Sequence, residues 1–196
     1  DKNYSDISDD EKYKWIEYYK IKVKAYFYFE LAEKLVLAAR FRFGYLGHYN
    51  SQLGTTLFER FFLGGDGLSG YNNYDGREII GMRGYVNESI SAYHRGYRNI
   101  GGTVFTRNTL ELRYPLSLNP SSTIYGLVFV EAGNTWTQAQ GFDPFDLYRS
   151  AGVGIRVFLP MFGMLGLDWG YGFDPVPGWP GANGSQFHFS LNQSLD

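Results

Sequence analysis

The chain contains no cysteine. That excludes disulfides, thiolate metal sites and a cysteine nucleophile, without fixing a compartment. A strong charge of one sign is missing too. The formal net charge of −2 argues against nucleic acid as a partner. No stretch approaches the ~20 apolar residues of a transmembrane helix, and the longest purely aliphatic run is residues 35–39. This excludes a helical membrane protein only. Barrel strands need ~9–11 residues and alternate in polarity, so a mean hydropathy of −0.30 is compatible with them. Histidine is scarce. His48, His94 and His188 are scattered, which favours hydrated side chains over a metal triad. The start, Asp1-Lys2-Asn3-Tyr4, carries neither the basic nor the apolar region of a signal peptide, as expected of a mature chain or a fragment.

What is abundant points elsewhere. Aromatics reach 19%, with 17 Tyr and 16 Phe, and there are 25 Gly. Such a composition suits an all-β fold with many turns, or a membrane barrel. After a polar segment at residues 1–12, expected to be an exposed loop, strict alternation sets in. Ile21, Val23, Ala25, Phe27, Phe29 and Leu31 share one parity, opposite Lys20, Lys22, Lys24, Tyr26, Tyr28 and Glu30. A period of two over this length means a strand with one apolar face. Six further strands are expected, at residues 35–45, 103–116, 123–136, 151–159, 165–173 and about 186–195. The fourth strand is apolar on both faces apart from Glu131, whose parity is assigned inward.

Connections alternate in length. Residues 32–34, 117–122 and 160–163 are short; 47–100, 137–146 and 174–184 are longer. Outer-membrane barrels pair short periplasmic turns with longer external loops, which would put the C-terminus on the periplasmic side. The polar parities carry Arg, Lys, Glu and Gly, as a polar lumen requires. A soluble sandwich or lipocalin-like barrel also alternates, but turns its apolar parity inward and seldom needs so much aromatic surface. Seven strands would leave two open edges in lipid, at a cost in unpaired backbone groups. The expectation is an all-β transmembrane antiparallel barrel, of which residues 1–196 form one C-terminal portion.

The segment 47–100 far exceeds the roughly 12–15 residues at which a structureless connection becomes unusual. It holds the aromatics Phe58, Phe61, Phe62, Tyr71, Tyr74 and Tyr85. Gly64-Gly65-Asp66-Gly67 lacks the Lys-Ser/Thr ending of a phosphate loop. Asp66 and Asp75 are not spaced as calcium ligands. No serine sits in a nucleophile elbow. No catalytic residue, metal site or cofactor is expected. Arg156 and Asp168 share the inward parity and are symmetric about Phe162, which would let them pair across a turn.

Phe58-Glu59-Arg60-Phe61-Phe62-Leu63-Gly64-Gly65, followed by Met82-Arg83-Gly84-Tyr85, resembles the sixth external loop of the BamA/TamA superfamily. Glu131-Ala132-Gly133-Asn134-Thr135-Trp136 looks like the end of that superfamily's thirteenth strand. Residues 149–154 and 162–166 look like the two strands that follow. The likeness covers almost all of 13–195 and is closest on the BamA side. It implies a roughly sixteen-stranded barrel preceded by POTRA domains, of which this chain holds the last seven strands and the long lumen-inserted loop. It implies that Arg83 meets Glu131 and Glu111 on the inner wall. It also implies a lateral seam at the last strand, with Phe187, Phe189, Leu191, Asn192 and Leu195. Asn192 stands where relatives have a kinking glycine, and Leu195 where they have a terminal aromatic.

The implied function is folding and insertion of β-barrel proteins into the bacterial outer membrane. The implied partners are unfolded outer-membrane proteins, accessory assembly lipoproteins, outer-membrane lipid and lipopolysaccharide, and the N-terminal part of the same barrel. A polypeptide secretion pore of the same superfamily is the alternative. A passive porin or adhesin would leave the Arg83–Glu131 pairing and the Gly-Gly segment without a purpose.

Overall fold

A computed structural model describes residues 17–50, 54–56, 58–66, 71–72, 77–91, 100–119, 122–160 and 163–191. The expectations for residues 1–12, Tyr74, Asp75, His94, Phe162, Asn192 and Leu195 lie outside the described residues. Seven strands form one antiparallel sheet: β1 (Tyr18–Ala32), β2 (Leu35–His48), β6 (Val104–Asn119), β7 (Ser122–Trp136), β8 (Tyr148–Leu159), β9 (Gly163–Gly172) and β10 (Gly184–Leu191). They pair in the order β1-β2-β6-β7-β8-β9-β10, each with its sequence neighbour in the wall. The intervening β3 (Phe61–Leu63), β4 (Tyr71–Asn72) and β5 (Arg77–Ile80) make a separate small sheet, with β5 in the centre.

The sheet exposes its apolar parity and buries its polar one. Ile21, Phe29, Leu110, Val128, Val130, Val153, Leu167 and Phe189 are exposed. On the opposite parity Glu111, Glu131, Ser150, Arg156, Asp168 and His188 are buried. A soluble sandwich would do the reverse, because apolar surface leaves water when it can. A sheet with an apolar outer face and a polar inner one is the wall of a transmembrane barrel.

Strand lengths differ around the wall. β6 and β7 have 16 and 15 residues, whereas β8 and β9 have 12 and 10.

Several strand boundaries differ from expectation, and β8 starts three residues early, at Tyr148. Asn119-Pro120 suggested a turn over 117–122, yet β6 runs to Asn119 and β7 starts at Ser122. A register shift between Pro115 and Ser117 absorbs the proline, so pairing resumes beyond it. His48, expected in the long loop, is instead the last residue of β2. It lies 3.0 Å from Thr55 Oγ1.

The long segment packs on the inner face rather than hanging free. Leu46 and Phe105 of the wall meet Phe61, Leu63, Ile80, Met82, Tyr85 and Ile90 of the segment in one buried cluster. Phe61 and Phe105 lie with ring centroids 4.6 Å apart. Burying a side chain of this size stabilises by ~1.5–3 kcal/mol. The small sheet supplies the frame: β3 runs parallel to β5, and β4 antiparallel to it.

Candidate functional site

The site is the turn at residues 81–85, carried by the small sheet into a ring of wall side chains. Gly64 and Gly65 seat the turn. Both have positive φ, +126° and +81°, which glycine adopts without the clash a Cβ would bring. Gly65 N–H donates to Met82 O at 3.1 Å and to Tyr85 O at 3.0 Å, and Met82 N–H donates back to Gly65 O at 2.9 Å. A Cβ on Gly65 would run into the Asn87 side chain. The Gly-Gly pair and the Met-Arg-Gly-Tyr run are therefore one structural unit. Phe61 is fully buried in it, whereas Phe58 is half exposed.

Arg83 reaches three carboxylates on three strands. Its backbone N–H donates to Glu131 Oε2 at 2.9 Å, and its Nε and Nη2 donate to Glu131 Oε1 at 3.1 and 2.7 Å. Nη2 also donates to Glu111 Oε1 at 2.7 Å, and Nη1 to Asp168 Oδ1 at 3.2 Å. The guanidinium carbon lies 3.5 Å from the centroid of the Phe129 ring, a cation–π contact. Burial alone would lower the Arg83 pKa. The charges of Glu131, Glu111 and Asp168 outweigh it and hold the group above its ordinary value. A planar fork serves three acceptors at once, which a lysine ammonium could not do with the same geometry.

Each carboxylate also has a wall arginine of its own. Arg107 Nη2 donates to Glu131 Oε1 at 2.6 Å. Glu111 pairs with Arg40, and accepts from Arg113 at 2.7 and 3.0 Å. Arg156 binds Asp168 through two bonds of 2.9 and 2.8 Å, joining neighbouring strands across their turn.

The residues after Arg83 reach the β8–β10 end of the same inner face. Gly84 N–H donates to His188 Nε2 on β10 at 2.9 Å. Tyr85 O–H donates to Arg149 O at 2.8 Å, and burial pushes its phenol up to about 12. Val86 N–H donates to Ala182 O at 2.8 Å. This approach needs a bare inner wall. A Cβ on Gly170 would sit 2.8 Å from Gly84 N, and one on Gly172 would sit 2.9 Å from the Tyr85 ring. At the far side of the sheet, Lys20 of β1 pairs with Glu59 at 3.2 Å and Glu78 at 2.7 Å. The segment thus touches the wall from β1 to β10.

The structure brings Arg83, Glu131 and Glu111 together, with Phe61, Gly64, Gly65, Met82, Gly84 and Tyr85 around them. It places Phe187, Phe189 and Leu191 on the exposed face of β10, the sheet edge. Sequence reasoning missed four participants: Asp168 as a third acceptor for Arg83, His188 as a partner of Gly84, the inward Gly170 and Gly172, and the Lys20–Glu78 pair. Parity marked Asp168 and His188 as inward. Their pairing across β9 and β10 is what could have placed them under the turn. Among the described residues, no group of three His, Asp or Glu side chains could hold a metal ion.

The BamA of Haemophilus ducreyi lacking POTRA domains 1–3 has a similar fold, with a TM-score of 0.62 at 20% sequence identity. The likeness covers 88% of this chain and 34% of that one, so the chain spans about a third of the relative's length. A search of curated protein sequences finds no match. The model of the Omp85 superfamily domain matches residues 9–195. With a seven-stranded wall of inverted polarity and an inserted loop covered end to end by that match, the chain belongs to the Omp85 superfamily.

Proposed function

We propose that this chain is the C-terminal part of the barrel of an assembly protein that folds and inserts β-barrel proteins into the bacterial outer membrane. The observation that carries the reading is the position of the loop tip. One turn holds Arg83 in the β6–β7–β9 carboxylates and Gly84 against His188 of β10, the edge strand. In the whole barrel β10 closes against the N-terminal strands and forms a lateral seam with Asn192 and Leu195. When that seam opens, its edge offers free backbone groups on which a client strand builds by β-augmentation. The drop from 16 and 15 residues in β6 and β7 to 12 and 10 in β8 and β9 narrows the wall toward that edge. At ~3.3 Å per residue this is roughly 50 Å against roughly 35 Å of strand. A bilayer thins beside a short belt, which lowers the barrier to insertion.

The partners under this reading are unfolded outer-membrane proteins, accessory assembly lipoproteins, outer-membrane lipid and lipopolysaccharide, and the N-terminal strands and POTRA domains. The C-terminus lies on the periplasmic side, and no nucleotide or cofactor is consumed. The alternative, a polypeptide secretion pore, fits less well, because the packed segment occupies the lumen side of this wall.

Depletion of the full-length protein tests the two readings. Loss of many outer-membrane barrels together is the expected result. Loss of a single secreted polypeptide, with barrel levels unchanged, would overturn the assembly reading in favour of the pore.

A further inference from the structure

A second loop does something the function above does not require. Residues 137–147 join β7 to β8 at the rim of the wall, yet they do not project away from it. Phe142 packs edge-on against Trp136, with centroids 4.8 Å apart, and against Phe43, at 5.9 Å. Both partners lie on the outward, apolar parity of their strands. Further along the loop, Asp146 O accepts a 2.7 Å bond from Asn134 Nδ2, also on the outward parity. Asn134 stands two residues below Trp136, ~7 Å down the wall at strand rise. Asp146 lies at the return into β8, where Tyr148 pairs with Gly133, and Phe142 folds back over the rim onto the outward face of the barrel.

Burial traces the same footprint. Val104, Thr106, Asn134 and Trp136 are buried on the outward parity of β6 and β7. Leu110, Val128 and Val130, on the same parity but further from the rim, are about half exposed. Between the two attachment points, Phe145 is 91% exposed. Its position is fixed, not idle. Phe145 N–H donates to Asp143 Oδ1 at 2.9 Å, and Asp146 N–H to Asp143 O at 3.3 Å. The Asp143 carboxylate is thereby turned onto the loop's own backbone, while the phenyl ring points out.

We propose that residues 142–146 form a membrane foot: a loop segment seated on the lipid-facing wall that inserts Phe145 into the headgroup–acyl boundary of the bilayer. The occupant of the exposed face is lipid. The foot is continuous with a rim of outward aromatics, which includes the Tyr19–Tyr45 and Tyr171–Phe173 pairs, with centroids 5.8 and 5.7 Å apart. Aromatic side chains concentrate at this depth in membrane proteins, because one end is apolar and the surroundings are partly wet. The inference concerns the wall's seating in lipid and does not depend on what the seam does.

The test uses Phe145→Cys in the full-length protein, on a background without other cysteines. The protein is spin-labelled and reconstituted in phosphatidylethanolamine/phosphatidylglycerol vesicles. Collision with oxygen and with a water-soluble nickel chelate reports depth. The expected oxygen-to-nickel ratio is several-fold above that of free label in buffer and below that of a label at Val130→Cys in mid-wall. A ratio equal to free label would overturn the proposal by placing the foot in water. Exclusion of both reagents would overturn it by placing the foot against protein. Retained folded mobility on a gel shows that each labelled barrel is intact.

Discussion

The two flanks of the loop tip hold the wall by different chemistry. On one flank Arg83 makes charged, directional bonds, chiefly to Glu111 and Glu131 on the long strands β6 and β7 and with one longer bond to Asp168 on β9. These carboxylates are already neutralised by arginines of their own. On the other, Gly84, Tyr85 and Val86 touch β8 to β10 and the loop between β9 and β10, mainly through backbone groups, a histidine and bare glycine. The first flank anchors. The second supports the edge without locking it, since neutral hydrogen bonds contribute only ~0.5–1.5 kcal/mol net each. A seam that must open is best held by contacts of the second kind, with the loop's position guaranteed by the first.

Substitutions separate the flanks. Arg83→Ala should have the largest effect. Losing one partner of a buried ion pair costs ~3–5 kcal/mol, so the segment 47–100 should become sensitive to limited proteolysis. Arg107, Arg40, Arg113 and Arg156 still pair with the carboxylates, so the wall itself should keep its folded mobility. Arg83→Lys should restore little, and full rescue by lysine would break the anchoring account. Gly172→Val comes next. The added side chain meets Gly84 O and the Tyr85 ring, and overpacking of this sort costs ~1–3 kcal/mol. Hydrogen exchange should quicken over residues 184–191 while residues 104–119 stay protected. Equal loosening of both would show that the flanks are not separate.

His188→Ala should do less. It leaves Gly84 N–H without its acceptor, at ~1 kcal/mol. It should raise exchange at Gly84 with no change in protease sensitivity. The smallest effect belongs to Asp174, beyond the end of β9. Hydrogen bonds from the Arg149 side chain hold its carboxyl below the usual carboxylate range. Because the folded value is lowered, its stabilising contribution is present above the ordinary carboxylate pKa and is lost as pH falls through the lowered one. Solvent screens this exposed pair. Acid titration of loop opening should therefore differ only slightly between the parent and Asp174→Asn, and a large difference would move weight from the anchoring flank to the rim.

The wall was legible in the sequence because a strand's period of two admits no ambiguity over a dozen residues. Ile21 to Leu31 and Leu165 to Phe173 could face only one way, and Glu131 settled the parity of β7. Arg83 and its partners Glu131 and Glu111 came from the family likeness, since nothing in spacing alone ties residue 83 to residues 111 and 131. The small sheet was not legible. Its strands have three, two and four residues, too short for any period to register. Its pairing rests on backbone bonds between separate parts of the segment, such as Glu78 N–H to Arg60 O and Gly64 N–H to Ile80 O. Asp168 was matched to Arg156 through turn symmetry, but its bond to Arg83 needs the curvature that brings β6, β7 and β9 toward one point.

The inward glycines have one further consequence. Gly152, Gly154, Gly170 and Gly172 line the inside of β8 and β9, and the backbone at residues 83–84 closely approaches Gly170 and Gly172. When the turn withdraws, Gly170 and Gly172 have no side chain of their own to fill the strip it leaves. Glycine at inward positions weakens a strand, so β8 and β9 should yield before β6 and β7 when the sheet is bent.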